Sequence, residues 1–364
     1  MDGECIKFKC LEVAQPIGTF YIGTIDSEDL IHISYADIRR IEQRDIEKIV
    51  GIQRPLSPGR VKELKQYVNT LDASFPTSVI LSIASDCAEY DKESGIMKVR
   101  RDRGIAKIID GQHRLAGLEG YEGELFEVNI TIFIDMDIED QALMFATINL
   151  KQTKVSKSLA YDLYEFASSR SPQKTCHNIA KLFNTKNGSP FKGRIKILGR
   201  ATGQPYEFIT QAAFVERLIR YISDNPMQDR DIIKKGKTPP RASSIDASKL
   251  IFRNLFLDDK DAEIARILWN YFTAVARRWA KAWASTERGN ILNRTQGFAG
   301  LMRFLGDLYN SLGGAGKIVQ VSDFEDKFNK IKLDDSDFNT ERYPPGTAGE
   351  TKLYKELLSN SSIT

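Results

Sequence analysis

The sequence predicts an α+β protein: a mixed sheet with helices, followed by a mostly helical C-terminal part. Three features carry that expectation. Phe126 to Ile134 (FEVNITIFI) alternates strictly, with Val128, Ile130, Ile132 and Ile134 on one face, the period of a half-buried strand. Ile105 to Leu118 (IAKIIDGQHRLAGL) reads as a buried strand that runs through a polar, glycine-containing corner into a helix. From Leu159 onward, apolar residues recur at spacings of three and four. That shift places a boundary near Ser168 to Gln173, with an α/β domain over residues 1–168 and a mainly helical domain over 169–364.

Composition sets the outer limits. The 364 residues are 41% hydrophobic and 28% charged, enough apolar matter for well-buried cores and too much for a disordered chain. The formal charge of +3 permits nucleic-acid contact through a local patch without requiring it. No apolar run approaches the roughly 18 residues that span a bilayer, and MDGECIKFKC lacks a signal-peptide pattern, so the expected location is cytoplasmic and no membrane partner is expected. Cys5, Cys10, Cys87 and Cys176 are scattered, which argues against a disulfide framework. Cys176 and His177 adjoin, but two ligands alone make no metal site, so no metal is expected.

In chain order, Cys10 to Ile33 reads as extended and hairpin-like around a Pro16/Gly18 turn. Ile38, Ile41, Ile46 and Ile49 give Ile33 to Val50 helical spacing. The turn-rich stretch Gln53 to Arg60 leads into a helix over Val61 to Leu71 and a strand over Ser78 to Ile83. Asp86 to Gly104 is hairpin-like; the strand around Ile96, Met97 and Val99 is expected to pair with Ile105 to Ile109 across a turn at Asp102-Arg103-Gly104. After Phe126 to Ile134 comes a helix over Asp140 to Ile148.

The helical half is read as Leu159 to Ala167, Gln173 to Phe183, Thr210 to Ile222, Lys249 to Phe256 and Asp261 to Ala284. Phe191 to Lys196 is read as a short strand, and Asp229 to Ser244 as a mobile basic loop. Trp269, Phe272, Val275, Trp279 and Trp283 form a stripe that belongs in a core before it belongs on a base-stacking surface. Asn293, Arg294 and Thr295 are placed to cap the helix that runs to Leu305 or, alternatively, to face a binding pocket, and Thr351 to Leu358 is read as a last short helix.

Chemistry concentrates at two places. At the corner, Asp110 sits where a helix N-cap belongs, Gly111 allows a tight turn, and Gln112, His113 and Arg114 follow in the first turn, where free N–H groups favour an anion. A plain turn with Asp110 as its cap is the competing reading. The second place is Asn149 to Ser158 (NLKQTKVSKS), in which Asn149, Lys151, Gln152, Lys154, Ser156 and Lys157 are donors that suit phosphates or bases. A basic helix-to-helix loop is the alternative there.

The stretch Asp110-Gly111-Gln112-His113-Arg114 with Gly117 resembles the signature of the DGQHR-domain family, whose best-known members are similar to the DndB proteins of DNA phosphorothioate modification systems. The corner is also similar to that of the ParB and sulfiredoxin group, so the resemblance implies a ParB/sulfiredoxin-like sheet. It covers roughly Cys10 to Ser158. The order of Arg54, Arg60, helix, Pro76 and strand resembles the first box of ParB-like folds, which brings Arg54 and Arg60 near the same cup, and Asn149-Leu150-Lys151-Gln152 resembles an Asn-x-x-Gln element.

The resemblance implies ATP, with or without Mg2+, held by Gly111, His113, Arg114, Asn149, Gln152 and Arg54. Any hydrolysis would draw on Asp110, Gln112 and His113. No Gly-x-x-x-x-Gly-Lys-Ser/Thr loop or clear second acidic ligand is present, so turnover is expected to be slow. DNA contacts are assigned to Lys151, Lys154, Lys192, Arg194, Lys234 and Lys235, and the implied role is control of modification genes or assistance to the modification machinery. DNA, other modification proteins and a second copy of the chain are the partners it would accommodate. A DNA-binding regulator without catalysis is the alternative, and a ParB-like nuclease a further one.

Overall fold

The computed structural model describes residues 4–36, 40–42, 48–50, 56–150, 157–197, 199, 206–243 and 245–361; at 40–42, 48–50, 146, 149 and 150 it describes the backbone alone. These residues form two compact units, 1–153 and 154–364, which divide ahead of the compositional shift at Ser168.

The first unit opens with a hairpin. Strands β1 (Cys5–Gln15) and β2 (Gly18–Asp26) pair antiparallel from Cys10 opposite Gly23 to Gln15 opposite Gly18, so the chain reverses at Pro16 and Ile17. The Asp26 carboxylate then accepts a hydrogen bond from Glu28 N at 2.8 Å and starts helix α1 (Ser27–Ile33). Strands β3 (Ser34–Tyr35), β4 (Arg40–Glu42) and β5 (Lys48–Val50) follow, and then helix α2 (Pro58–Tyr67). Next come β6 (Val79–Ile83), β7 (Ala88–Asp91), β8 (Ile96–Arg100), β9 (Ala106–Asp110), helix α3 (Gln112–Leu118), β10 (Glu127–Ile134) and helix α4 (Ile138–Leu150).

An eight-stranded mixed sheet runs in the order β3-β9-β6-β10-β2-β1-β8-β7. β6 lies parallel to β10 and antiparallel to β9, which puts the C-terminal end of β9 beside the start of β6. Val128, Ile130 and Ile132 of β10 are buried as their alternation predicts, packed with Leu30, Leu81, Met97, Val99 and Ile108.

Three expectations are corrected in this unit. Helical spacing over Ile33 to Val50 gives way to β3 and to the antiparallel pair β4 and β5, with Ile41 opposite Ile49. Regular apolar spacing with many β-branched residues serves either state, and a strand partner decides. β8 pairs with β7 and β1 and does not pair with β9, whose neighbours are β3 and β6. The Asp102 to Gly104 turn therefore carries the chain across the sheet between non-adjacent strands. Asp110, finally, is the last residue of β9, and the N-cap of α3 is Gly111.

The second unit contains α5 (Lys157–Asp162), a 3-10 turn at Leu163–Phe166, α6 (Pro172–Thr185), β11 (Ile195–Lys196), β12 (Ile209–Thr210), α7 (Gln211–Leu218) and α8 (Pro226–Lys234). It continues with α9 (Arg253–Leu257), α10 (Asp261–Arg278), α11 (Ala280–Ala284), α12 (Thr295–Ser311), α13 (Val321–Phe328) and α14 (Thr347–Asn360). The expected long helix breaks at Trp279, whose φ of −124° and ψ of 60° leave the helical region. Trp279 is fully buried there, with its indole N–H donating to Leu333 O at 2.8 Å. Of the aromatic stripe, Phe272, Val275, Trp279 and Trp283 are core, as expected, and Trp269 is half-buried; around Phe272, the rings of Phe191, Phe214 and Phe298 pack against one another.

Two further readings change in the second unit. The basic stretch from Asp229 opens as the end of α8, and the pair Asp229 and Arg253 is buried at 2.7 Å. Arg294 is the N-cap of α12 but lends it no side-chain bond, while Asn293 is buried and donates to the Trp283 and Ser285 carbonyls. No helix among the described residues is long and apolar enough to cross a membrane.

Candidate anion site at the strand-to-helix corner

The corner is built by three constraints. Ile108 and Ile109 are buried and hold β9 in the sheet. Gly111 then takes φ 104° and ψ 6°, a left-handed turn that glycine makes without Cβ strain. A Cβ there would also stand 3.0 Å from Val79 Cγ2. Gly117, further along α3, faces α2 so closely that a Cβ would lie 2.6 Å from Leu64 Cβ. The two helices thus pack almost backbone to backbone, at a separation set by the absent side chain.

This close packing brings the start of α2 to α3. Ser57, the N-cap of α2, donates its backbone N–H to His113 Nε2 at 3.1 Å. An Nε2 that accepts fixes the neutral ring with its proton on Nδ1. Pro58 occupies the first turn of α2, where its missing N–H costs nothing. Neither Ser57 nor Gly111 supplies a side-chain cap to its helix. Ser57 is exposed and Arg60, one turn into α2, is half-buried, so the start of α2 lies at the surface. Free first-turn amides and the helix dipole make this a positive locus.

Arg114 is held differently from the open donor that the sequence suggests. Its Nη1 donates to Thr77 O and, at 2.7 Å, to Thr77 Oγ1, while Nη2 donates to Ser78 O at 3.0 Å and Asp110 Oδ2 at 3.1 Å. The guanidinium therefore clamps the lead-in to β6 onto the end of β9. Burial lowers the Arg114 pKa from its ordinary value; the Asp110 carboxylate opposes that, and the Arg60 guanidinium adds to it.

The catalytic residues expected from the sequence are accordingly placed as follows. Asp110 is ion-paired with Arg114 at 3.1 Å, which takes its carboxylate from the cap. Gln112 and His113 are both buried, at 7% exposure. Arg54, Lys151, Gln152 and Lys154 lie outside the described residues, and Asn149 is described only as backbone in the last turn of α4.

Of the cations assigned to DNA, Lys192, Lys234 and Lys235 are exposed, and Lys192 donates to Asn187 Oδ1. Arg194 is half-buried, donates to Trp283 O at 2.8 Å and lies over the Tyr206 and Trp283 rings, so burial lowers its pKa. It serves packing before it serves a phosphate. Sequence reasoning missed Ser57, Thr77 and Ser78; Ser57 and Ser78 contribute through backbone groups that carry no residue-type signal, and Thr77 through its carbonyl and its hydroxyl.

A family model described as DndB, DNA-sulfur modification-associated, matches residues 8–189, half of the chain. No curated protein and no solved structure matches it.

Proposed function

The chain belongs to the DndB family of DNA-sulfur modification-associated proteins, and from that premise we propose that it is a nucleotide-responsive, DNA-contacting component of such a system. In this reading ATP, or an equivalent polyphosphate, binds where α2 meets α3. Arg60, the first-turn amides of α2 and the outward rim of the corner receive the phosphates, and Asn149, Gln152 and Arg54 complete the site. DNA is held through lysines that include Lys192, Lys234 and Lys235, and the nucleotide adjusts that hold to regulate modification genes or assist the machinery.

One observation carries the reading: the start of α2, which has no side-chain cap, is tied to His113 through the Ser57 N–H at 3.1 Å, with Arg60 half-buried in the same first turn. An anion there would meet the first-turn amides and the Arg60 guanidinium. Labelled ATP should bind the wild type, and Arg60→Ala should weaken binding about 10–100-fold, the worth of one charge-assisted bond. Arg60 is chosen because its loss leaves the Arg114 clamp in place. Equal affinity in a folded Arg60→Ala protein, or no binding by the wild type, rejects the site.

A second reading, a DNA-binding regulator without catalysis, is favoured by the commitment of Asp110 to Arg114, which deprives the corner of a ready base. It predicts ATP binding without phosphate release. Binding to promoter DNA should weaken steeply with salt, and the Lys234→Ala, Lys235→Ala double variant should lower the salt slope by about 2. An unchanged slope removes these lysines from the DNA contact.

A further inference from the structure

The helical unit holds a second concentration of chemistry, one that the proposed function does not use. Asp162 ends α5, Glu165 lies in the 3-10 turn that follows, and His177 sits in the middle of α6. One ligand atom from each lies within 4.8 Å of the others. Asp162 and His177 are fully buried, and Glu165 is half-buried and also ion-paired with Lys181. Gln211, the first residue of α7, is fully buried beside them, with Nε2 2.7 Å from His177 Nδ1. Its amide oxygen is buried and meets no hydrogen-bond partner among the described residues. The same is true of the amide oxygen of Gln173, one helical turn before His177 on the same face of α6.

We propose that Asp162, Glu165 and His177 bind one divalent first-row cation, Zn2+ or Mn2+, with Gln211 as the residue that orients His177. Two carboxylates and an imidazole form a mixed oxygen and nitrogen set, which suits these ions better than Mg2+ or Ca2+, for which an all-oxygen set is usual. Two carboxylates drawn together in an interior repel each other, and a cation held between them would offset that repulsion. Ligands of one such ion stand at most about 4.4 Å apart, twice a metal–ligand bond, so the three groups need to close by only a few tenths of an ångström.

The amide of Gln211 makes the usual second contact of a ligating histidine. With the amide turned so that its oxygen accepts from Nδ1–H, His177 Nε2 is left as the ligating lone pair. Water on the ion would supply a donor to the remaining amide oxygen, that of Gln173. Adjacent Cys176 does not belong to the set. Its thiol is buried, and its pKa is pushed well above the ordinary value by that burial, with the Asp261 carboxylate adding to the rise.

The test uses the untagged full chain, stripped with EDTA, desalted and titrated with Zn2+ and with Mn2+ by calorimetry. Co2+ absorption reports the ligand field. One ion per chain is expected, with a Tm that rises with ion concentration. Glu165→Gln and His177→Gln should abolish the stoichiometric site and the Co2+ spectrum, Gln211→Ala should weaken binding about 10–100-fold, and Cys176→Ala should leave it unchanged. Should His177→Gln fail to fold, the half-buried Glu165→Gln decides alone. No stoichiometric uptake of either ion overturns the proposal, as does uptake by Glu165→Gln equal to that of wild type, or loss of uptake in Cys176→Ala alone.

Discussion

Replacing Gly117 by alanine tests the contact on which the corner depends. The new methyl would stand 2.6 Å from Leu64 Cβ, against an ordinary carbon–carbon contact of about 3.5–4.0 Å, so α2 and α3 must separate by about 1 Å. Leu64 cannot turn away, because the atom struck is its Cβ. Overpacking of this kind costs about 1–3 kcal/mol, and the gain of alanine over glycine inside a helix returns about 0.8–1 kcal/mol. The net loss is about 1 kcal/mol, which in a unit of this size lowers Tm by about 2–4 °C.

Gly59 supplies the control, since it lies in α2 with ordinary helical backbone and open space around a Cβ. Gly59→Ala should therefore raise Tm where Gly117→Ala lowers it. Differential scanning fluorimetry on both variants gives the answer, and ATP titration of Gly117→Ala should show weakened binding as Ser57 draws back from His113. A Tm gain in Gly117→Ala equal to that of Gly59→Ala would refute the close approach.

Arg253→Ala should be among the most damaging single changes in the second unit. The Arg253 side chain binds both oxygens of buried Asp229 and the carbonyls of Ile222 and Pro240, so its loss strands a buried carboxylate, at about 3–5 kcal/mol by chemical denaturation. Gly111→Ala should destabilise the first unit by about 1–2 kcal/mol, read as a lower denaturant midpoint, because alanine resists φ 104°. Thiol labelling at neutral pH should mark Cys5 first, whereas buried Cys10, Cys87 and Cys176 react only on unfolding. Burial raises the Cys10 pKa from 9.0 to about 11, so its protonated form is favoured in the fold; that contribution is present below pH 9.0 and fades as pH rises towards 11, which urea melts on wild type and Cys10→Ala would display.

Much of this protein is legible in its residues because the relevant physics is local. The alternation of β10, the glycine turn at Gly111 and the three-and-four spacing of the helical half each arise within a dozen neighbouring positions, and a family resemblance could be read from the same corner. Asp110 marks the limit. An aspartate before a helix reads as a cap, yet here its carboxylate turns to Arg114, because strand pairing has already claimed its backbone for β9.

Only the tertiary structure decided the rest. β8 and β9 are sequence neighbours with a suitable turn between them, but sheet order separated them, since β1 and β7 bury the flanks of β8 and β6 buries that of β9. The donors of Arg114 reach Thr77 and Ser78, and the imidazole of His177 bonds to Gln211 and lies within 4.8 Å of Asp162 and Glu165, across loops that no residue pattern spans. Composition and periodicity determine which side chains carry charge and which face is apolar. Where a charge finds its partner is set by backbone carbonyls and distant elements, whose positions exist only after the core has packed.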